Sequence, residues 1–224
     1  MIRRRIIAAI VGVILVFSSK AWADVPGRDQ LYGATSVIAK NKCDPIIFLY
    51  VLDVKLSGGS RPAGRELLSE AQDIACALDM ASRTFAKRNA ARFNLTEKLA
   101  KSLIVGVAHQ ESAFVRHAVS HKDAVGIMQV HWPTWGEVLR RVGLTRSDLY
   151  NPYINALVGA YILEDCLVKT NGKIERALGC YFGKDSKGYV AGVLSRSKRF
   201  VLTALALSKA NIGNEEAKDG SKEE

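Results

Sequence analysis

The chain has no Cys-x-x-Cys spacing and no His-Glu-x-x-His. Both are common frameworks for zinc sites, so metal chemistry loses its usual sequence support. Few segments alternate apolar and polar residues with period two, which argues against a β-sandwich or barrel. Internal repeats are absent, so a solenoid is excluded. The apolar run near the N-terminus, "IIAAIVGVILVF" at residues 6–17, falls short of the ~20 residues that a membrane-spanning helix needs. No Cys stands in the "SSKAWAD" stretch directly after that run, which argues against a lipoprotein anchor.

What the first 23 residues do contain is the pattern of an export signal. "MIRRR" is basic, the apolar run follows, and "SSKAWA" ends in an Ala-x-Ala arrangement at Ala21 and Ala23. These features predict a secretory signal peptide over residues 1–23, cleaved after Ala23, and a periplasmic or secreted protein. An uncleaved membrane anchor is the alternative. Residues 1–23 hold four cations and no acid, so cleavage lowers the net charge from +10 to +6. A basic exported protein suits a polyanionic partner such as cell-wall polymer, membrane surface or nucleic acid, and charge alone does not choose among them.

The 224 residues are 48% hydrophobic and 24% charged, enough for one sizeable domain. Four cysteines remain after cleavage: Cys43, Cys76, Cys166 and Cys180. An even count in an oxidising compartment predicts two disulfides. Three connectivities exist, and Cys43–Cys76 with Cys166–Cys180 joins neighbouring segments.

The patterning is mostly helical. Residues 24–93 form an N-terminal segment in which "DPIIFLYVLDVKL" is a core helix or strand. "SGGSRPAG" is a loop, and the following stretch is a long amphipathic helix with Leu67, Ile74, Leu78 and Phe85 on one face. Residues 94–208 hold a second run of helices. Asn94 and Glu97 fit a capping box that starts the first of them. "WPTWGEVLRRVG" has Pro133 near its start and Gly143 at its end. "NPYINALVGAYILEDCLVKTNG" closes on Asn171-Gly172. Helices over "KIERALGCYFG" and "GYVAGVLSRSKRFVLTALALSK" complete the fold. Residues 209–224 carry almost no apolar side chains and are expected to be a disordered charged tail.

One carboxylate stands out. Leu99, Leu103 and Val107 recur at i, i+4 and i+8 of the helix over "NLTEKLAKSLIVGVAHQE", and the next position on that stripe is Glu111. An ion pair with Arg116 or Lys122 would make it ordinary. A carboxyl kept protonated by apolar surroundings would make it a general acid. Downstream, "SHKDAVGIMQVHWPTW" supplies Gly126, which permits close backbone approach. It also supplies Gln129, an amide that both donates and accepts, and Trp132 and Trp135, which either stack on sugar rings or fill the core. Ile127 and Met128 read equally as core. The four histidines, His109, His117, His121 and His131, lie within 23 residues. His117 and His121 at i, i+4 would suit a metal only if helical, and that run reads as a loop.

Taken in order, "ESAF", "AVS", "DAVGIMQV", "NPYINALVGAYIL" and "ALGCYFG" resemble the successive motifs of the bacterial lytic transglycosylase domain of the SLT type. This belongs to the lysozyme-like superfamily. The resemblance spans about residues 94–195. It implies a mainly α, lysozyme-like domain with an additional helical N-terminal segment. By the same resemblance Glu111 is the single catalytic acid/base. Ser120 contacts the sugar or the carboxylate, Gln129 lines the glycan groove, and the Tyr181 hydroxyl reaches toward Glu111. Ser112, Met128 and His131 complete the candidate substrate contacts. Two positions depart from the family: Phe182 follows Tyr181 where Asn is usual, and His131 stands where many members have Met.

The implied reaction is cleavage of the β-1,4 bond between N-acetylmuramic acid and N-acetylglucosamine, leaving 1,6-anhydromuramic ends. The expected partner is peptidoglycan. A cell-envelope secretion, pilus or conjugation machine is a candidate second partner. No nucleic acid, cofactor or metal is expected, and the expected state is a monomer. Two alternatives stand beside this. Asp123 could act as a second carboxylate in a hydrolytic muramidase, or the chain could be a non-catalytic wall-binding or assembly protein. "KDA" sits in a connection, which favours a turn role for Asp123.

Overall fold

The structure is a computed structural model and describes residues 43–58, 65–184 and 186–219, with side chains described to Ser208. The signal peptide expected at residues 1–23 lies outside the described residues, as do residues 24–42 and most of the Gly-rich loop.

Asp44 starts the first helix by accepting the Ile46 N–H on its Oδ1 at 2.8 Å, and Pro45 supplies the first helical residue. This decides the helix-or-strand question: α1 is Pro45–Ser57. The amphipathic stretch is α2, Arg65–Phe93, with Ile74, Leu78 and Phe85 buried as its spacing predicts. Next come α3 (Glu97–Ser112), a two-stranded antiparallel hairpin of β1 (Ala124–Val125) and β2 (Val130–His131), and α4 (Trp132–Arg140). A 3-10 turn at Arg146–Tyr150 leads into α5 (Pro152–Lys169), α6 (Ile174–Phe182) and α7 (Lys187–Asp219). The molecule is thus mainly α, consistent with a lysozyme-like domain. The α7 backbone continues past the boundary drawn at residue 208 to Asp219, where a disordered tail was expected.

Two readings around α3 need correction. The N-cap is Thr96, whose hydroxyl accepts the Leu99 N–H, and Asn94 instead turns the chain with φ 51°. The capping box of Asn94 and Glu97 therefore does not form. Leu99 is 37% exposed, so it does not begin the buried stripe. Ala100, Leu103, Ile104, Val107 and Ala108 do. They line a face set by i+3 and i+4 steps rather than by i+4 alone.

One core joins α1, α2, α3, α5, α6 and α7. A smaller one joins the hairpin, α4, the 3-10 turn and α5, and Leu157 and Tyr181 pack against both. The N-terminal helices are part of the first core. Tyr50 of α1 is fully buried, with its hydroxyl 2.9 Å from His109 Nδ1 of α3 and donating to the Arg196 carbonyl of α7 at 3.3 Å. Burial, with Arg196 and Arg199 nearby, pulls the His109 pKa down to about 4, so its ring packs as a neutral group. Lys101 of α3 pairs with Asp44 at 2.6 Å and lies 3.7 Å from the buried Asp79 of α2. Disulfides join Cys43 to Cys76 and Cys166 to Cys180, the pairing of neighbouring segments.

α3 and α7 pass each other tightly at Gly106. A Cβ there would stand 2.1 Å from Ser197 Oγ and 3.0 Å from the Val193 carbonyl oxygen. Gly106→Ala must push the two helices apart. Overpacking of this kind costs about 2 kcal/mol, and a lowered thermal midpoint measures it. An unchanged midpoint would show that α7 is free to shift at this crossing.

Candidate active site

Glu111 sits in the last turn of α3, where the helix axis emerges from the main core. The chain then turns abruptly. Ala113 and Phe114 both take left-handed backbone, φ 49° and 63°, a conformation costly for residues with a Cβ. Two contacts hold the turn. The Ala113 N–H caps the His109 carbonyl at 3.0 Å. The Phe114 ring is fully buried, packing edge-on to Tyr50 and tilted against His109.

The hairpin loop then folds back over the end of α3. Ser112 Oγ donates to the Ile127 carbonyl at 2.8 Å. Gly126, at φ +80°, passes so close to α5 that a Cβ would lie 2.1 Å from Asn155 Nδ2 and 2.5 Å from the Leu149 carbonyl oxygen. The close approach read at Gly126 is therefore realised against α5. Asn155 itself is fully buried. Its Nδ2 donates to the carbonyls of Val125 at 2.8 Å and Leu149 at 2.9 Å, and its Oδ1 accepts the Met128 N–H at 2.8 Å. One amide thus ties the hairpin both to α5 and to the 3-10 turn.

Glu111 has a single described hydrogen-bond partner. Tyr189, in the first turn of α7, donates its hydroxyl to Glu111 Oε1 at 2.5 Å. Burial pushes the Glu111 pKa up from 4.5 to about 7, and the Tyr189 hydrogen bond opposes it. Desolvation wins because one neutral donor recovers only part of the hydration that a carboxylate loses. Burial also pushes the Tyr189 hydroxyl well above its ordinary range, with the Glu111 charge adding to it. Tyr189 therefore stays a donor across the working pH range.

The expected contact between Tyr181 and Glu111 does not form. The Tyr181 hydroxyl donates to the Met128 carbonyl at 2.8 Å. Tyr181 remains close enough for the Glu111 charge to raise its pKa, after burial, the larger cause. Ser120 is likewise turned inward: its Oγ accepts the N–H groups of Lys122 at 3.3 Å and Ala124 at 3.0 Å. Gln129, at φ 47°, donates Nε2 to the carbonyls of Ala118 at 3.2 Å and Gly126 at 3.0 Å. Met128 is fully buried, so it packs in the core rather than facing a ligand. His131 is half-buried, with Nδ1 2.7 Å from Thr134 Oγ1. Trp132 and Trp135 are half-buried against the smaller core. Of the family's matched positions, then, Glu111 presents its carboxyl, while Ser112, Ser120, Gln129, Met128 and Tyr181 build the loop around it.

Asp123 takes a turn conformation, φ 60°, and receives Arg146 Nε at 2.8 Å and Nη2 at 2.5 Å. That guanidinium holds its carboxyl below the usual range. The pairing makes Asp123 a clamp between the hairpin and the 3-10 turn. His117 packs against Tyr150 instead of pairing with His121 on a helix. Among the described residues no group of three or more His, Cys, Asp or Glu side chains could hold a metal ion.

Tyr189 and Asn155 escaped sequence reasoning. Tyr189 lies 78 residues from Glu111, and at the start of an ordinary amphipathic helix nothing local marks it. Asn155 had a usable signal, a polar residue amid the apolar positions of "NPYINALVGAYIL".

A mainly helical fold thus carries a carboxyl of raised pKa at the end of a core helix. Residues 88–187 match the model of the transglycosylase SLT domain. That match agrees with the SLT-type lytic transglycosylase motifs read from the sequence. No curated protein matches the chain. The matched domain family points to a peptidoglycan substrate and glycan-cleaving chemistry in the cell envelope. No helix among the described residues is long and apolar enough to cross a membrane.

Replacing Asn155 with Ala removes the amide partner of the Val125 carbonyl and Met128 N–H of the hairpin and of the Leu149 carbonyl of the 3-10 turn. Unfolding free energy should fall by about 3 kcal/mol, since each buried group left unsatisfied costs roughly 1 kcal/mol or more. Chemical denaturation measures this; a loss under about 1 kcal/mol would mean that water replaces the amide.

Proposed function

We propose that the protein is a peptidoglycan lytic transglycosylase in which Glu111 is the sole acid/base. The observation that carries this reading is the Glu111 carboxyl, raised to about 7 by burial and bonded to the neutral donor Tyr189. A carboxyl near half protonation at neutral pH can serve as acid in one step and base in the next.

The steps follow from that one group. Protonated Glu111 gives its proton to the glycosidic oxygen as the bond to the muramic C1 breaks, releasing the N-acetylglucosamine hydroxyl. The N-acetyl carbonyl oxygen of the muramic residue stabilises C1. Glu111, now a carboxylate, takes the proton from the C6 hydroxyl, and O6 bonds to C1. Glu111 ends protonated, the product carries a 1,6-anhydro ring, and no water is consumed. A second carboxylate is unnecessary, and Asp123 is engaged by Arg146. The +6 charge of the chain after residue 23 complements the carboxylated peptide stems of the substrate. Cleavage after Ala23 would place the protein in the periplasm or outside the cell, where a secretion, pilus or conjugation machine could recruit it.

Glu111→Gln should reduce turnover about a thousand-fold or more while binding to purified peptidoglycan persists. Mass spectrometry of the products reads the reaction. Anhydro ends support the proposal, reducing muramic ends would replace it with a hydrolase, and unchanged turnover in the variant would remove Glu111 from the chemistry.

The pH dependence follows from the sign of the shift. Activity that starts from protonated Glu111 falls as pH rises through about 7, which a profile of kcat/KM detects. Stability moves the same way. The folded state holds a proton that the unfolded carboxyl releases above 4.5. Between pH 4.5 and about 7 the wild type should therefore lose stability relative to Glu111→Gln. The slope approaches 1.4 kcal/mol per pH unit, about the value for one proton. Parallel stability curves for the two proteins would contradict the burial argument.

A further inference from the structure

Phe182 is the last residue of α6, 40% exposed, in the position where the transglycosylase motif usually carries Asn. Its ring lies on that of Tyr189, with centroids 4.4 Å apart and planes 16° from parallel. Tyr189 is 7% exposed, and its hydroxyl is the donor to Glu111. Lys184 Nζ stands 5.4 Å from the Phe182 centroid. Gly183, in left-handed conformation at φ 87°, turns the chain between the two rings. The Ser186 hydroxyl then accepts the Tyr189 N–H at 3.3 Å.

A tyrosine ring turns about two side-chain torsions, and a 2.5 Å hydrogen bond at its tip tolerates little rotation of either. A parallel aromatic face restrains both. Asn could not supply such a face. We propose that Phe182 is a positioning residue, its ring clamping Tyr189 so that the phenol hydroxyl stays on Glu111. Its effect on catalysis rests on the reading of Glu111 as acid/base; its effect on Glu111 titration does not. Among the described residues, the groups that face Glu111 are Tyr189 from α7 and Tyr181 from α6, the latter turned to the Met128 carbonyl. Loosening Phe182 therefore acts on Glu111 through the Tyr189 donor. That donor favours the carboxylate, so its loss raises the Glu111 pKa.

The test is a 13C NMR titration of the Glu111 side-chain carboxyl in the wild type, Phe182→Leu, Phe182→Trp, Tyr189→Phe and the Leu/Phe double variant. Thermal unfolding of each reports integrity. Leu keeps apolar volume without a flat ring, and should raise the Glu111 midpoint by about half a pH unit or more, in the direction that Tyr189→Phe moves it. Trp should hold the wild-type value. The double variant should move no further than Tyr189→Phe alone. A Glu111 midpoint in Phe182→Leu equal to the wild type overturns the proposal, as does a double variant whose shifts add. A titration that behaves as expected in a protein releasing no muropeptide would leave Phe182 in its role and remove the acid/base reading instead.

Discussion

A carboxyl at the edge of an apolar core is expensive when charged, and the site depends on the way that cost is only partly relieved. Glu111 emerges from α3 on the face that carries Leu103 and Val107 into the main core. One neutral hydroxyl meets it, and no described cation does. Full relief by an arginine would give a permanently ionised side chain with no proton to deliver. No relief would cost stability without holding the carboxyl in place. The Tyr189 hydroxyl lies between these limits: it orients the group, lowers the burial penalty and leaves the pKa near 7.

The surrounding architecture serves that placement. The hairpin loop bends over the end of α3 through left-handed backbone at Ala113, Phe114, Asp123, Gly126 and Gln129. Only one of these is glycine, so the strained turn needs support from outside. It comes from Asn155 on α5, from the ring of Phe114 wedged against Tyr50 and His109, and from the Asp123–Arg146 pair. α1 and α2 take part in this support. Tyr50 ties α1 to both α3 and α7, and Lys101 draws the starts of α1 and α3 together beside Asp79. α1 and the part of α2 before the family match therefore belong to the same packed body as the carboxyl.

Helix existence was legible because period and caps are local. Pro133 and Asn171-Gly172 mark a start and a stop where the structure has them. The capping box at Asn94 failed for a local reason too. Thr96, two residues on, also carries a side-chain acceptor, and the left-handed turn at Asn94 leaves it outside the helix. Motif matching found Glu111 and the loop that covers it, but assigned Ser120, Gln129 and Tyr181 to direct contacts. Those side chains spend their hydrogen bonds on backbone groups of the loop. A motif records which residue types recur and not which atoms they face.

By itself the sequence determined a mainly helical chain and a carboxyl on the helix stripe that enters the core. Each of these follows from residues close enough to be related by helical period or by short spacing. Tertiary structure alone decided which group answers that carboxyl. The donor is Tyr189 rather than Tyr181, because α7 packs along α3 through the gap that Gly106 leaves. It also decided that a phenylalanine in an asparagine's place faces the donor's ring. The physical reason is that a pKa and a hydrogen bond depend on distances of a few ångströms between segments some 70 to 80 residues apart, and no local pattern encodes such distances.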